Sequence, residues 1–310
     1  IAEMVAGLNS GQVFLVNQAQ DFNWQDYTVH DKVHPNKAGA EKMATVWFEA
    51  LKKVLASSET VFSPDIVRYK TLENGDSLAL HIFKPRNMQA GEKRPVIVYF
   101  FGGGWKLGTP LQFYRECAYY ASKGMVAVSV DYRIEYLHHS TPFDSFEDAK
   151  DAICWLRSHA SDYQLDPDKI AVAGGSAGGH LAAALGTIGS DEAVNYRPNL
   201  SVLYYPVVDM VSRGYGFPEI KRDFEKISPI HHVSEATPST LILLGTKDPI
   251  VSVETIRSYQ DKLLQKGVDC ELHLFEGAGH PIFLYRKPLT EDYYKVRKLT
   301  DDFLKREGFL

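Results

Sequence analysis

The sequence predicts an α/β fold: a mostly parallel central sheet with an N-terminal antiparallel hairpin, helices on both faces and a small cap. Three observations carry that prediction. From about residue 63 onward, short apolar runs alternate with longer helical patterns, which is how strand–helix–strand units read in sequence. The later runs are nearly continuous in β-branched and aliphatic residues, as strands buried on both faces require. Between the first two runs stands Asn74-Gly75, a strong hairpin-turn signal.

The strands expected are Ile66–Thr71, Leu78–Phe83, Val96–Phe101, Val126–Asp131, Ile170–Ala173, Ser201–Tyr205, Leu241–Leu244 and Glu271–Phe275. Helices fall between and after them. Phe146, Ala149, Ile153 and Leu156 share one helical face, and Ser145-x-x-Asp148 has the form of a capping box. Val253–Lys266 reads as a second helix, closed by Gly267 at a C′ position. Glu291–Arg306 is a third, with Val296, Leu299 and Phe303 at helical spacing. Residues 1–60 read differently. Lys37–Leu55 is helical in pattern, with Ala40, Met43, Trp47, Ala50 and Leu51 on one side, and 57–60 reads as a linker to a domain spanning 61–310.

Composition narrows the function. The chain has 310 residues, 45% hydrophobic and 24% charged, which excludes a disordered tail, a collagen-like repeat and a disulfide scaffold. The net charge of −5 is spread along the chain without a basic patch, so nucleic acid is not an expected partner. Apolar runs are too short to cross a bilayer. Cys117, Cys154 and Cys270 are odd in number and lack metal-ligand spacing, so they read as core residues with free thiols. The chain opens at Ile1 with no visible signal peptide, which leaves the compartment, and a segment lost upstream, open.

The chemistry concentrates in Ile170-Ala-Val-Ala-Gly-Gly-Ser-Ala-Gly-Gly-His180. A buried strand runs into Gly174-x-Ser176-x-Gly178 and then into a helix through Leu181, Ala182 and Leu185. That is a nucleophile elbow in the context that gives the motif meaning. Small residues let the chain turn sharply and present the serine, and the new helix aims its N–H groups at a developing oxyanion. Upstream, Val96–Phe101 runs into Gly102-Gly103-Gly104-Trp105, a loop stripped of Cβ atoms whose amides can approach a ligand. A phosphate cradle is the competing reading, but neither a following Lys-Ser/Thr nor a GxGxxG frame is present. The expected oxyanion donors are the N–H groups of Gly103, Gly104 and Ala177.

A serine needs a neutral imidazole to take its proton and a carboxylate to hold that imidazole. Of eleven histidines, His280 stands out, in the small-residue loop Gly277-Ala-Gly-His280-Pro281 after a strand. His180, on the elbow helix, reads as structural. Asp248, in Gly245-Thr-Lys-Asp248-Pro249, is the expected acid, with Asp209 as its rival. Both follow strands, at the end where α/β sites form.

With those residues in place, residues 63 to 310 resemble an α/β-hydrolase-fold carboxylesterase of the hormone-sensitive-lipase-like type. Gly102–Trp105, Gly174–Gly179, Gly245–Pro249 and Gly277–His280 occur in that family's order. Two departures exist: Phe101 stands where the family's oxyanion loop usually opens with His, and Gly175 where the elbow often carries Asp. Both point to a bacterial branch resembling feruloyl and acetyl-xylan esterase-like enzymes. The resemblance implies ester hydrolysis through an acyl-enzyme, with Ser176 as nucleophile, His280 as base and Asp248 as its orienting acid, and with no metal or organic cofactor. A cap over Met210–Lys226 with few aliphatic residues predicts short acyl chains. Trp105, Tyr215, Phe217, Ile282 and Phe283 are candidates for the pocket wall and equally for core.

A second resemblance covers residues 10 to 55. His30-Asp31-Lys-Val-His34-Pro-Asn-Lys-Ala-Gly39-x-x-x-Met43-Ala44 is similar to the C-terminal block of an SGNH (GDSL-type) hydrolase, in which the aspartate and the histidine three residues on belong to a triad. No serine here matches that family's nucleophile; Ser10 lacks the setting. The segment is therefore expected to be a remnant, with a homodimer as one way to cover its apolar helix face. A serine peptidase of the prolyl-oligopeptidase type and a non-catalytic carbohydrate-binding or adhesion module are the alternative functions.

Overall fold

A computed structural model of the protein describes residues 26, 36–57, 63–86, 88–89, 91–189, 195–210, 223–284 and 289–310, with the backbone alone at 48–57 and 224. The chain divides into two units, Ile1–Phe62 and Ser63–Leu310. In the first, helix α1 (Lys37–Ser57) begins where Asn36 Oδ1 accepts the Gly39 N–H at 2.9 Å, an N-cap bond that satisfies one of the orphan amides of the first turn. Trp47, on the expected apolar side, is 49% exposed. His30, Asp31 and His34 lie outside the described residues.

The second unit holds one eight-stranded sheet in the order β1-β2-β4-β3-β5-β6-β7-β8. Its strands are β1 (Asp65–Thr71), β2 (Ser77–Phe83), β3 (Arg94–Phe100), β4 (Val126–Val130), β5 (Leu165–Gly175), β6 (Leu200–Tyr204), β7 (Ser239–Gly245) and β8 (Cys270–Phe275). β1 and β2 form the antiparallel hairpin, turning through Gly75 at φ 89°. β2 runs antiparallel to β4, and every later pairing is parallel. Residues 96–100, 126–130 and 170–175 are all buried, which is why these runs carry no polar alternation.

Helices fill the crossovers: α2 (Tyr114–Ser122), α3 (Pro142–Ser158), α4 (Ala177–Thr187) and α5 (Val253–Gln265), followed by α6 (Glu291–Arg306). β3 to β4 steps one way across the sheet and β4 to β5 to β6 steps the other. Right-handed crossovers therefore put α2 on one face and α3 and α4 on the opposite face, where α3 and α4 pack together.

The start of α3 differs from expectation. The helix begins at Pro142, and the capping box is Thr141 with Asp144, not Ser145 with Asp148. Pro at the first helical position is preorganised for the turn, so the frame shifts one turn upstream. Asp148 serves a different purpose. Its fully buried carboxylate is held by Arg133 Nε at 2.8 Å and Lys70 Nζ at 2.6 Å. Cys117 and Cys270 are buried and Cys154 is half-buried.

Candidate active site

The site assembles at the carboxyl ends of four parallel strands. β3 pairs directly with β5, Phe100 opposite Gly174, so the glycine loop after β3 and the turn after β5 emerge side by side. β4 lies on the far side of β3. The site thus opens where strand order reverses, the position in open α/β sheets that a ligand can enter.

At the end of β5, Ser176 sits at φ 56° and ψ −118°, a conformation that L-residues adopt only where the surroundings impose it. Its N–H donates to the Tyr204 carbonyl at 3.0 Å, and its own carbonyl accepts the His180 N–H at 2.9 Å, opening α4. A Cβ on Gly178 would stand 2.0 Å from the Phe100 carbonyl oxygen. The elbow helix therefore approaches β3 more closely than any side chain allows.

The relay is continuous. His280 Nε2 lies 2.8 Å from Ser176 Oγ, and His280 Nδ1 lies 2.7 Å from Asp248 Oδ2. Asp248 Oδ1 accepts the Ile250 and Val251 N–H groups at 2.8 and 2.9 Å. Burial works against charge on this carboxyl, but the hydrogen bonds from His280 and the two amides outweigh it and hold Asp248 below the ordinary carboxylate range. An ionised Asp248 fixes the proton on Nδ1 and leaves Nε2 free to accept from the serine. Asp248, the acid expected from the sequence, touches His280.

Gly103 has φ 143° and Gly104 φ 65°, and a Cβ on Gly103 would stand 1.9 Å from the Leu107 carbonyl oxygen. Among the described residues, the backbone hydrogen bonds leave the N–H groups of Gly103, Gly104 and Ala177 uncommitted. The loop is braced by residues the sequence did not single out. Gln112 Oε1 accepts the Gly102 N–H at 2.6 Å, and the Tyr132 hydroxyl donates to the Phe101 carbonyl at 2.6 Å. Tyr132 also stacks on Phe101 at 4.0 Å, so the aromatic ring at that position is part of the brace. Asp131-Tyr132 directly after a buried strand was the available signal for Tyr132; Gln112 had none.

The proposed pocket residues are placed unevenly. Trp105 is 1% exposed and meets His180 edge-on at 5.2 Å. Ile282 is buried, and Phe283 packs between Tyr204 and Tyr293. Tyr215 and Phe217, with the rest of 211–222, lie outside the described residues. His180 is structural: Nε2 donates to the Ile227 carbonyl at 2.7 Å, and burial pushes its imidazole down to about 4, so the ring is neutral. No group of three or more His, Cys, Asp or Glu that could hold a metal is found among the described residues, and no described helix is long and apolar enough to cross a membrane.

The family described as BD-FAE matches residues 80–212, a stretch that contains the glycine loop and the elbow. A thermophilic esterase of the planctomycete Thermogutta terrifontis is similar in structure, with a TM-score of 0.75 and 37% identity over 80% of this chain and 93% of its own. The same esterase has been solved with propionate bound, with butyrate bound and phosphorylated by paraoxon. Esterase LipC of Mycobacterium tuberculosis is 30% identical over 65% of this chain and 56% of its own length. An acetylxylan esterase of Xylanibacter ruminicola is 25% identical over 62% of this chain and 42% of its own. The chain thus spans about half the length of the curated relatives it matches.

Proposed function

The chain belongs to the α/β-hydrolase-fold esterases, and from that premise we propose that it is a serine carboxylesterase acting on short-chain acyl esters through an acyl-enzyme. The observation that carries the reading is the unbroken relay from Asp248 through His280 to Ser176, ending on a serine beside uncommitted backbone amides.

In this mechanism Ser176 Oγ attacks the ester carbonyl while His280 Nε2 takes its proton. The oxyanion is received by the N–H groups of Gly103, Gly104 and Ala177, preorganised donors that need no rearrangement as charge develops. Collapse breaks the bond to the alcohol, which leaves with the proton from His280. Water then attacks the acyl-enzyme with His280 again as base, releasing the acid and restoring Ser176. Throughout, Asp248 holds the tautomer and stabilises the imidazolium.

The propionate- and butyrate-bound forms of the similar esterase support short acyl groups, and the acetylxylan esterase relative supports acetyl, or by extension feruloyl, esters of plant polysaccharide. The test is turnover of p-nitrophenyl acetate, butyrate and decanoate, acetyl xylan, methyl ferulate and a p-nitroanilide amide, with paraoxon labelling read by mass spectrometry. Acetate and butyrate should be the fastest p-nitrophenyl esters, and label should enter the parent but not Ser176→Ala. Amide turnover matching that of the esters would favour the peptidase reading, and label retained in Ser176→Ala would remove Ser176 as nucleophile.

A further inference from the structure

Gly175, immediately before Ser176, has a specific reason to be bare. Its φ is not in the left-handed region, so the backbone there would accept a side chain. What a side chain there would meet first is Tyr205. The three atoms nearest a Cβ built on Gly175 all belong to Tyr205: Oη at 2.7 Å, Cζ at 2.9 Å and Cε2 at 3.1 Å. The ring thus fills the place where a side chain on Gly175 would begin.

Tyr205 is itself held in an unusual way. It is 3% exposed, its φ is 39°, and its N–H donates to the Leu243 carbonyl at 2.7 Å. A positive φ at a bulky residue persists only where surrounding structure imposes it. Here the strand end turns so that the ring points back toward the elbow. The neighbouring Tyr204 carbonyl takes the Ser176 N–H, so one short segment grips both the nucleophile's backbone and the space beside it. The same ring meets the His280 imidazole at 4.8 Å between centroids, with the planes at 63°, a favourable edge-to-face arrangement.

We propose that Tyr205 is a positioning residue for the base: seated where a side chain on Gly175 would begin, its ring fixes the His280 imidazole in the orientation that reaches Ser176 and Asp248 at once. The inference rests on the triad reading above. His280 sits on a loop after β8, and its two hydrogen bonds constrain the edges of the ring, whereas Tyr205 limits its tilt. An Ala or Asp at 175 would push the Tyr205 ring away and free that tilt. Gly175 and Tyr205 therefore act as one unit, and the ring rather than the hydroxyl carries the role.

The test uses the full chain, with p-nitrophenyl acetate kinetics and thermal melts on Tyr205→Phe, Tyr205→Leu, Gly175→Ala, the Gly175→Ala/Tyr205→Leu double variant and Ser176→Ala. Tyr205→Phe should keep kcat within about threefold of the parent, whereas Tyr205→Leu and Gly175→Ala should each lose about tenfold to a hundredfold in kcat, because small misplacements of a catalytic group cost rates of that order. KM should move by no more than about threefold, which locates the loss after binding. The double variant should be no more than about twofold slower than Tyr205→Leu, the non-additivity expected of one shared contact. A kcat in folded Tyr205→Leu within about twofold of the parent would overturn the proposal, as would equal losses in the Phe and Leu variants. Should Tyr205→Leu not fold, Gly175→Ala decides by the same criterion. Ser176→Ala separates the two readings: if it remains active, the triad reading has failed, whereas an inactive Ser176→Ala beside an active Tyr205→Leu defeats the positioning role alone.

Discussion

Ser176 occupies a backbone conformation that costs on the order of 1–3 kcal/mol in a residue with a side chain, and the surrounding hydrogen bonds hold it there. The strain lifts Oγ out of the strand and toward His280. Alanine at 176 keeps the backbone demand and removes the proposed nucleophile, so the variant should melt near the parent while its kcat falls by about 10⁴ or more. His280→Ala should do the same, and activity within about tenfold of the parent in either would defeat the assignment.

A second residue-scale prediction concerns stability. Asp131, at the end of β4, is pushed up to about 6, chiefly by burial, with His138 opposing and Asp148 adding to the shift. A carboxyl raised in the folded state binds more protons than in the unfolded chain between about pH 4 and pH 6, so stability falls as pH rises through that window. Asp131→Asn removes this loss. Its stability relative to the parent should therefore grow from pH 4 to pH 7, reaching on the order of 1 kcal/mol after allowance for partial exposure. Urea melts at the two pH values measure it, and a difference that is flat with pH would contradict the argument.

At the scale of elements, the buried strands were readable because their environment is uniform: a strand covered on both faces needs apolar residues at every position. The elbow was readable for a related reason, since strand, glycine turn and helix follow one another within eleven residues. The start of α3 was not, because two consecutive frames, Thr141-x-x-Asp144 and Ser145-x-x-Asp148, offer the same capping pattern. Packing separated them: Asp148 is needed by Arg133 and Lys70, and Thr141 with Asp144 caps the helix. Thr141→Ala should cost about 1 kcal/mol in a denaturant melt and leave turnover untouched. Gly178→Ala, by contrast, should damage both fold and activity, because its Cβ would meet the Phe100 carbonyl. That carbonyl is backbone and cannot swing aside.

For the whole molecule, the first sixty residues pose the remaining question. We propose that Asp31 and His34 take no part in the ester turnover assigned to Ser176, since a base must lie within about 3 Å of its serine and His280 already holds that place. Asp31→Ala combined with His34→Ala should leave ester turnover within about twofold of the parent. Loss of most activity in a folded double variant would show that the two residues take part in the chemistry.

The sequence by itself determined the succession of strands and helices, and it set a serine between strand and helix ahead of the loops that carry Asp248 and His280. Each of these is written in residues close together, as an apolar run, a turn or a small-residue loop. Only the tertiary structure decided which carboxylate reaches His280, how Gln112 and Tyr132 brace the glycine loop, and why Gly175 carries no side chain. Those contacts join residues 10 to 32 positions apart. The pairings of β7 with β8 and of β3 with β4, and the turn of the chain at Tyr205, bring them together, and no local pattern encodes which distant side chain a strand end will face.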